Sequence, residues 1–384
     1  MQLITTTEAL KEACARLARE PFVAVDTEFL RENTYWPILC LIQAAGGETE
    51  IAIDPLAAGI DLSPFLALLA DRAVLKVFHA PRQDLEIFHR LMGRTLPEPV
   101  FDTQTAAMAL GLGDQIAYDS LVHALLKRHV DKSSRFTDWS RRPLSEKQLA
   151  YAVADVTHLR DLYPLIVERL AKRGRTGWVS EEMQALVDPA AYDTTPAHAW
   201  KRLKPRRYQK DYLAAFFAAC TWREFFAQER DIPRGRVLKD DAIFEIAEQR
   251  PRTPEAMDQL RAVPKGFGRS KGGVQLLEAI NGALDDPGAY APKIERPPPS
   301  PPGLGPIVEL LKVLLRCECE QLGVAPRLIA TVTDLEEIAA SDEADVPALT
   351  GWRRDVFGEK ALRLKRGEFG LVLKAGKVQV VPMP

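Results

Sequence analysis

The chain has 384 residues, 46% of them hydrophobic, which supports well-packed globular domains, two or three of them at about 150 residues each. Its formal net charge of −2 hides an asymmetry: residues 1–170 hold 18 Lys+Arg against 23 Asp+Glu and residues 171–384 hold 33 against 30, so an acidic first part joins a more basic remainder, as suits a metal-dependent enzyme acting on a polyanion. Five cysteines, Cys14, Cys40, Cys220, Cys317 and Cys319, form no C-x-x-C pair and argue against a disulfide framework, and no apolar run approaches the roughly 20 residues of a membrane span; a soluble cytoplasmic protein with free thiols is expected.

The opening MQLITTTEALKEACARLARE lacks the basic and apolar regions of a secretion signal and reads as a helix capped by Thr6 or Thr7. Apolar runs at 22–26, 38–45 and 50–54, separated by turn-like segments, read as three consecutive strands of a meander. A helix at 63–70 and a strand at 74–80 follow. Helix and short strand then alternate down to a long helix that opens S-E-K-Q, with Ser145 as its cap and Gln148 at the capping-box position. A meander followed by alternation implies a mixed sheet with helices packed on it.

From about residue 171 strand signals vanish and amphipathic helices take over, including 208–228 and 307–322. Between those two, PPPSPPGLGP at 297–306 marks a stiff linker. At an offset of 93 residues, Arg223, Gln228, Pro233, Arg234, Asp241 and Ala247 fall on Arg316, Gln321, Pro326, Arg327, Asp334 and Ala340. With a small gap, Gly266-Phe267 then falls on Gly351-Trp352. A duplicated helical module is the simplest account.

Three acidic motifs are spread through the first part. FVAVDTEF, residues 22–29, ends an apolar strand in two carboxylates, and strand alternation puts Asp26 and Glu28 on one face, where they repel unless a cation lies between them. In KVFHAPRQDLEIF, Pro81 starts a helix after the strand, placing Asp84 in its first turn. Tyr151 and Asp155, four residues apart in a helix, project together. Taken singly these read as an exposed strand end, a carboxylate favoured by a helix dipole and an uninformative pair. Their order is what gives them weight. Asp102, in VFDTQTAA, reads as a strand-end turn or helix cap, and His158 as a surface histidine. GFGRSKGG at 266–273 lacks G-x-x-x-x-G-K and reads as a turn between helices; no P-loop, G-x-S-x-G or zinc-spaced cluster is present, so no nucleotide cofactor is expected.

In that order the motifs resemble those of the ribonuclease D family, a branch of the exonucleases named for four acidic residues and a tyrosine: Asp26-Thr27-Glu28-Phe29, His79 to Asp84, and Tyr151 to Asp155. The stretch DKSSRFTDWSRRPLSEKQLAYAVADV, 131–156, is also similar to that family. Residues near 205–290 resemble the helicase-and-RNase-D C-terminal (HRDC) module, and 306–384 a diverged second copy. The resemblance implies an α/β ribonuclease-H-like exonuclease domain, a mixed sheet flanked by helices, at 1–170, followed by a connector at 171–204 and two all-α modules at 205–290 and 307–384, with a Pro-rich linker at 291–306.

The activity it implies is that of a hydrolytic 3′→5′ exoribonuclease that releases nucleoside 5′-monophosphates and trims transfer RNA precursors and other structured RNA. Asp26, Glu28, Asp84 and Asp155 would hold two Mg2+ or Mn2+ ions, since four carboxylates are what two hard, oxygen-seeking cations need. Tyr151 would orient the attacking water, because a tyrosine near its ordinary pKa of about 10 is a poor base at neutral pH. Single-stranded ends are gripped by aromatic platforms and basic tracks. Candidates for that grip are Phe29, His79, Arg135, Phe136 and Trp139 near the acids, with Lys201, Arg202, Arg206 and Arg207 of KRLKPRRYQK contacting backbone phosphates. The expected partner is the 3′ end of RNA, bound by a monomer with no membrane association. A DNA 3′→5′ exonuclease and a non-catalytic RNA-binding protein are the alternatives, and the presence of all four acids and the tyrosine speaks against the second.

Overall fold

The apolar runs that lead the chain become neighbouring strands of one six-stranded sheet. In the computed structural model, which describes residues 2–291, 293–294 and 301–383, a short strand β1 (Gln2–Ile4) precedes helix α1 (Thr7–Leu17), whose N-cap Thr6 accepts the Ala9 N–H. Then come β2 (Phe22–Leu30), β3 (Ile38–Gly46), β4 (Thr49–Ile53), α2 (Ser63–Ala70), β5 (Leu75–Phe78), α3 (Arg82–Leu91), β6 (Val100–Asp102), α4 (Thr103–Ala109), α5 (Tyr118–Leu126) and α6 (Glu146–Lys172). The strand order is β1-β4-β3-β2-β5-β6. β3 and β4 pair antiparallel, while β1 with β4, β2 with β5 and β5 with β6 pair parallel, so the sheet is mixed. Helix α6 opens with the full Ser145/Gln148 capping box. Its Val156 and Leu159 pack on Ala24, Ala45 and Val77 of three strands, which seats the face carrying Tyr151 and Asp155 at the sheet.

After α7 (Thr176–Leu186) the chain is helical: α8 (Lys210–Arg230), α9 (Arg234–Val237), α10 (Asp240–Gln249), α11 (Pro254–Asp258), α12 (Lys271–Asp285) and α13 (Pro287–Tyr290). The succession of long helix, single turn and medium helix then returns as α14 (Leu304–Leu322), α15 (Pro326–Ile329) and α16 (Val332–Ala340), with α17 (Gly351–Arg353) and α18 (Glu359–Lys365) beyond. The second module is not purely helical. It ends in an antiparallel hairpin, β7 (Phe369–Lys374) and β8 (Lys377–Pro382), turned by Ala375 and Gly376 at φ 51° and 73°, a left-handed pair that matches the twist of the strands. Part of the expected 291–306 linker lies outside the described residues.

Two compact units result. One contains Met1–Glu28, Leu41–Asp188 and Pro299–Pro384, the other Phe29–Cys40 and Pro189–Pro298. In the first, Trp178 of α7 stacks on Trp352 with ring centroids 4.1 Å apart and planes 5° from parallel. Arg175 there donates to the carbonyls of Ala109 and Gly323, at the ends of α4 and α14, a cation where two helix dipoles are negative. In the second unit Tyr35 donates its hydroxyl to Glu224 and accepts from Gln228 and Arg234 at 2.9 and 2.7 Å. Glu224 is 1% exposed and neutralised by Arg202 and Arg234. GFGRSKGG is a packing turn: a Cβ on Gly273 would lie 1.9 Å from the Phe267 carbonyl oxygen, and Ser270 caps α12.

Candidate active site

Side chains alternate along β2, so Asp26 and Glu28 leave one face together. Thr27 between them is buried and donates its hydroxyl to Asp84, in the first turn of α3. Asp155 arrives from α6, one helical turn after Tyr151. Ligand oxygens of Asp26, Glu28 and Asp155 all lie within 4.8 Å of one another. Asp84 stands outside that trio, near enough to Asp26 for the two charges to oppose each other. The turn presenting Asp84 is pinned by Asp102, which accepts from Ala80 N–H at 2.8 Å and caps α4 through Gln104 N–H at 2.9 Å. Asp102 therefore has the capping role its sequence context suggests.

Burial is the first cause of every shift in the cluster. It pushes Asp26 up to about 6, while burial and then Asp26 push Asp84 and Asp155 each to about 8. Glu28 rises to about 9 through burial and the charges of Asp26, Asp155 and Asp84, with Arg135 the opposing cation. Four acids raised together describe a site short of positive charge. Asp155 Oδ1 is buried with no hydrogen-bond partner, and the donors are all carboxylate oxygens. Both features fit a hard divalent cation, so the site is built for divalent-metal dependence.

Burial, followed by Asp155, Glu28 and Asp26, pushes Tyr151 well above the ordinary tyrosine value. It keeps its proton at neutral pH, with the Asp155 carboxylate beside it. Its ring faces the buried Trp139, centroids 6.0 Å apart.

A cavity of about 310 Å3 opens beside these groups, lined by Asp26, His79, Tyr118, Arg135, Tyr151 and Asp155 among others. It brings together five of the residues picked out in the sequence. The His79 ring is 3.0 Å from the Thr103 hydroxyl and packs near Tyr118. Phe136, by contrast, is 91% exposed next to Arg135, and Trp139 is core. Phe29 continues β2 but belongs to the other compact unit. So do the basic residues at 201–210, where Arg202 pairs with Glu224, Arg207 with Glu248 and Arg206 lies 3.8 Å over the Phe244 ring; Lys201 is exposed. Three further residues at the site escaped the sequence reading: Thr27 on Asp84, Tyr118, which donates to the Asp155 carbonyl, and Lys132, paired with Asp119 at 2.8 Å in the cavity wall. Thr27 lies inside the first motif and Lys132 inside the 131–156 stretch, but neither residue type announces a role. A larger cavity, about 650 Å3, lies among β6, α6 and α7 and contains none of the four acids.

A 3′–5′ exonuclease family matches residues 1–171, and the HRDC domain family matches 213–280. The chain is 53% identical to ribonuclease D of Nitrobacter hamburgensis, with 98% of each chain covered. To ribonuclease D of Granulibacter bethesdensis it is 50% identical, covering 99% of this chain and 96% of the relative. Among solved structures it is similar to Escherichia coli RNase D, described as an exoribonuclease involved in structured RNA processing, with a TM-score of 0.83, 29% identity, and 95% of this chain and 98% of that one covered.

Proposed function

We propose, from the premise that the chain belongs to the ribonuclease D family and is a 3′→5′ exoribonuclease acting in RNA processing, that Asp26, Glu28, Asp84 and Asp155 hold two divalent ions, Mg2+ or Mn2+, and that Tyr151 positions the hydrolytic water. The observation that carries this is the convergence of Asp26, Glu28 and Asp155 oxygens within 4.8 Å beside a cavity of about 310 Å3. When bound, such ions supply the positive charge that phosphodiester hydrolysis develops against. Asp84, tethered by Thr27, would be the fourth carboxylate holding the ions.

The chain's own residues do the rest. Tyr151, still protonated and beside Asp155, has oxygen lone pairs available to accept a hydrogen bond from water. That fixes the direction of attack on the last phosphodiester, whose bond to the 3′ oxygen of the preceding nucleotide breaks as the new P–O bond forms, releasing a nucleoside 5′-monophosphate. Arg135 and Lys132 face the phosphate path from the cavity wall. The exposed Phe136 offers a stacking platform for a base, a contact worth about 1–3 kcal/mol. Precursors of transfer RNA in the cytoplasm are the proposed substrates, in keeping with the structured RNA named for the Escherichia coli relative.

The test uses a 3′-end-labelled structured RNA and a DNA of the same sequence. Label should leave the RNA as mononucleotide, stop in EDTA and resume with Mg2+ or Mn2+. Release that persists in EDTA, or a marked preference for DNA, would contradict the proposal.

A further inference from the structure

The segment 127–145 between α5 and α6 contains no helix or strand, yet it lines the cavity with Lys132 and Arg135 and sets Trp139 against Tyr151. A guanidinium ties it to the sheet. Arg142 Nε donates to Asp54 Oδ2 at 2.7 Å and Nη2 to Oδ1 at 2.6 Å, a two-pronged pair, while Nη1 donates to the carbonyls of Trp139 and Arg141 at 2.8 and 2.9 Å. Asp54 is itself fixed just past β4, its N–H on the Ile4 carbonyl and its carboxylate on the Leu56 N–H, both at 2.9 Å. The segment is thereby tied to the sheet. With side-chain exposures of 27% and 9%, this pair is shielded from the water that weakens ion pairs on open surface. A planar guanidinium, with five N–H donors, serves both carboxylate oxygens and two carbonyls at once, one acceptor more than the three N–H of a lysine ammonium.

Trp139 is 2% exposed and its indole N–H has no hydrogen-bond partner. Packing and its own main chain alone therefore place the ring, and Arg142 holds that main chain. We infer that Arg142, paired with Asp54, is a positioning residue for hydrolysis: it fixes the backbone at Trp139, the Trp139 ring fixes the Tyr151 ring, and Tyr151 directs the water. This rests on the role proposed for Tyr151. Asp26 and Glu28 sit on β2, Asp84 on α3 and Asp155 on α6, all outside the anchored segment, so loss of the anchor leaves the metal ligands in place.

The experiment is a double-mutant cycle in steady-state RNA hydrolysis with Mn2+, using Arg142→Met, Tyr151→Phe and the pair, alongside the Mn2+-induced rise in Tm. Arg142→Met is expected to lower kcat by about 10-fold, the scale of a small misplacement in a catalytic geometry, with the Mn2+-induced rise unchanged. Arg142→Lys, lacking the fork, should behave the same way. In the Tyr151→Phe background the Arg142→Met loss should shrink to less than about 2-fold, since groups acting as one unit are not additive. Asp54→Asn and Trp139→Phe run through the same cycle if Arg142→Met does not fold. An undiminished loss in the Tyr151→Phe background, or an unchanged kcat in Arg142→Met, overturns the inference while leaving the role of Tyr151 standing. Full activity in Tyr151→Phe removes the role of Tyr151 and the inference with it.

Discussion

At the scale of single residues, the acids at the site are held in conditions that disfavour their charge. Asp155 is raised to about 8 by burial and by Asp26, so replacing it with asparagine removes a repulsion as well as a ligand. Asp155→Asn should cut mononucleotide release by at least about 10²–10³-fold, the effect of losing charge stabilisation at a reacting centre. In EDTA at pH 8.5 its Tm should be equal to or above that of the wild type; a clear fall in Tm would mean that Asp155 is a structural group. The pH dependence follows from the same shifts. All four acids have folded values above their unfolded ones, about 6 to 9 against ordinary values of 3.8 for Asp and 4.5 for Glu. The native state therefore holds more protons between them, and stability falls as pH rises. That contribution is complete below about pH 4 and gone by about pH 9. Denaturation midpoints in EDTA should drop from pH 5.5 to 8.5 by more in the wild type than in Glu28→Gln. Equal drops would place the titrating groups elsewhere. The motifs that carry the acids and Tyr151 stand out in the sequence because each has a fixed local spacing. The Thr27–Asp84 bond, spanning 57 positions, has no such spacing and is visible only once the chain has folded.

Among elements, α6 shows how local rules position chemistry. Its capping box at Ser145 and Gln148 fixes where the helix begins, and with it the phase at which Tyr151 and Asp155 face the sheet. Gln148 also reaches the Thr137 hydroxyl at 3.2 Å, joining the helix start to the segment before it. Ser145→Ala should cost about 1 kcal/mol of stability, the usual value for a lost N-cap, and a chemical-denaturation curve superimposable on the wild type would contradict the role of the cap. The helix start was readable because a cap is a four-residue pattern. The hairpin at 369–382 was passed over although FGLVLKAGKVQVVP alternates around an Ala-Gly turn, because the helical pattern upstream set the expectation for the whole module. β1 was passed over for a different reason: three residues are too few for periodicity, and its pairing with β4 supplies the missing information.

The molecule as a whole is partitioned in a way the sequence does not announce. Residues 29–40, from the end of β2 to the start of β3, belong to the compact unit of the first helical module, through contacts such as Tyr35 to Glu224 that span 189 positions. Glu224→Ala would remove the buried carboxylate shared by Tyr35, Arg202 and Arg234 and leave all three groups without that partner. It should destabilise that unit by about 1–3 kcal/mol, read as an early-melting transition; a wild-type melt would contradict the network. The second module joins the other unit through Arg175 and the Trp178–Trp352 stack. The 93-residue offset in sequence is accompanied by a similar succession of long helix, single turn and medium helix, α8 to α10 and α14 to α16, but a repeat in sequence says nothing about which neighbour each copy adopts.

The central claim is that Asp26, Glu28, Asp84 and Asp155 form the metal centre of this exoribonuclease. Anomalous scattering from a crystal soaked in Mn2+ tests it most directly. The account predicts two manganese peaks among these four carboxylates, one of them within reach of Asp26, Glu28 and Asp155, and loss of that peak in Asp155→Asn. Manganese bound elsewhere with these oxygens empty, or peaks that survive Asp155→Asn unchanged, would contradict it.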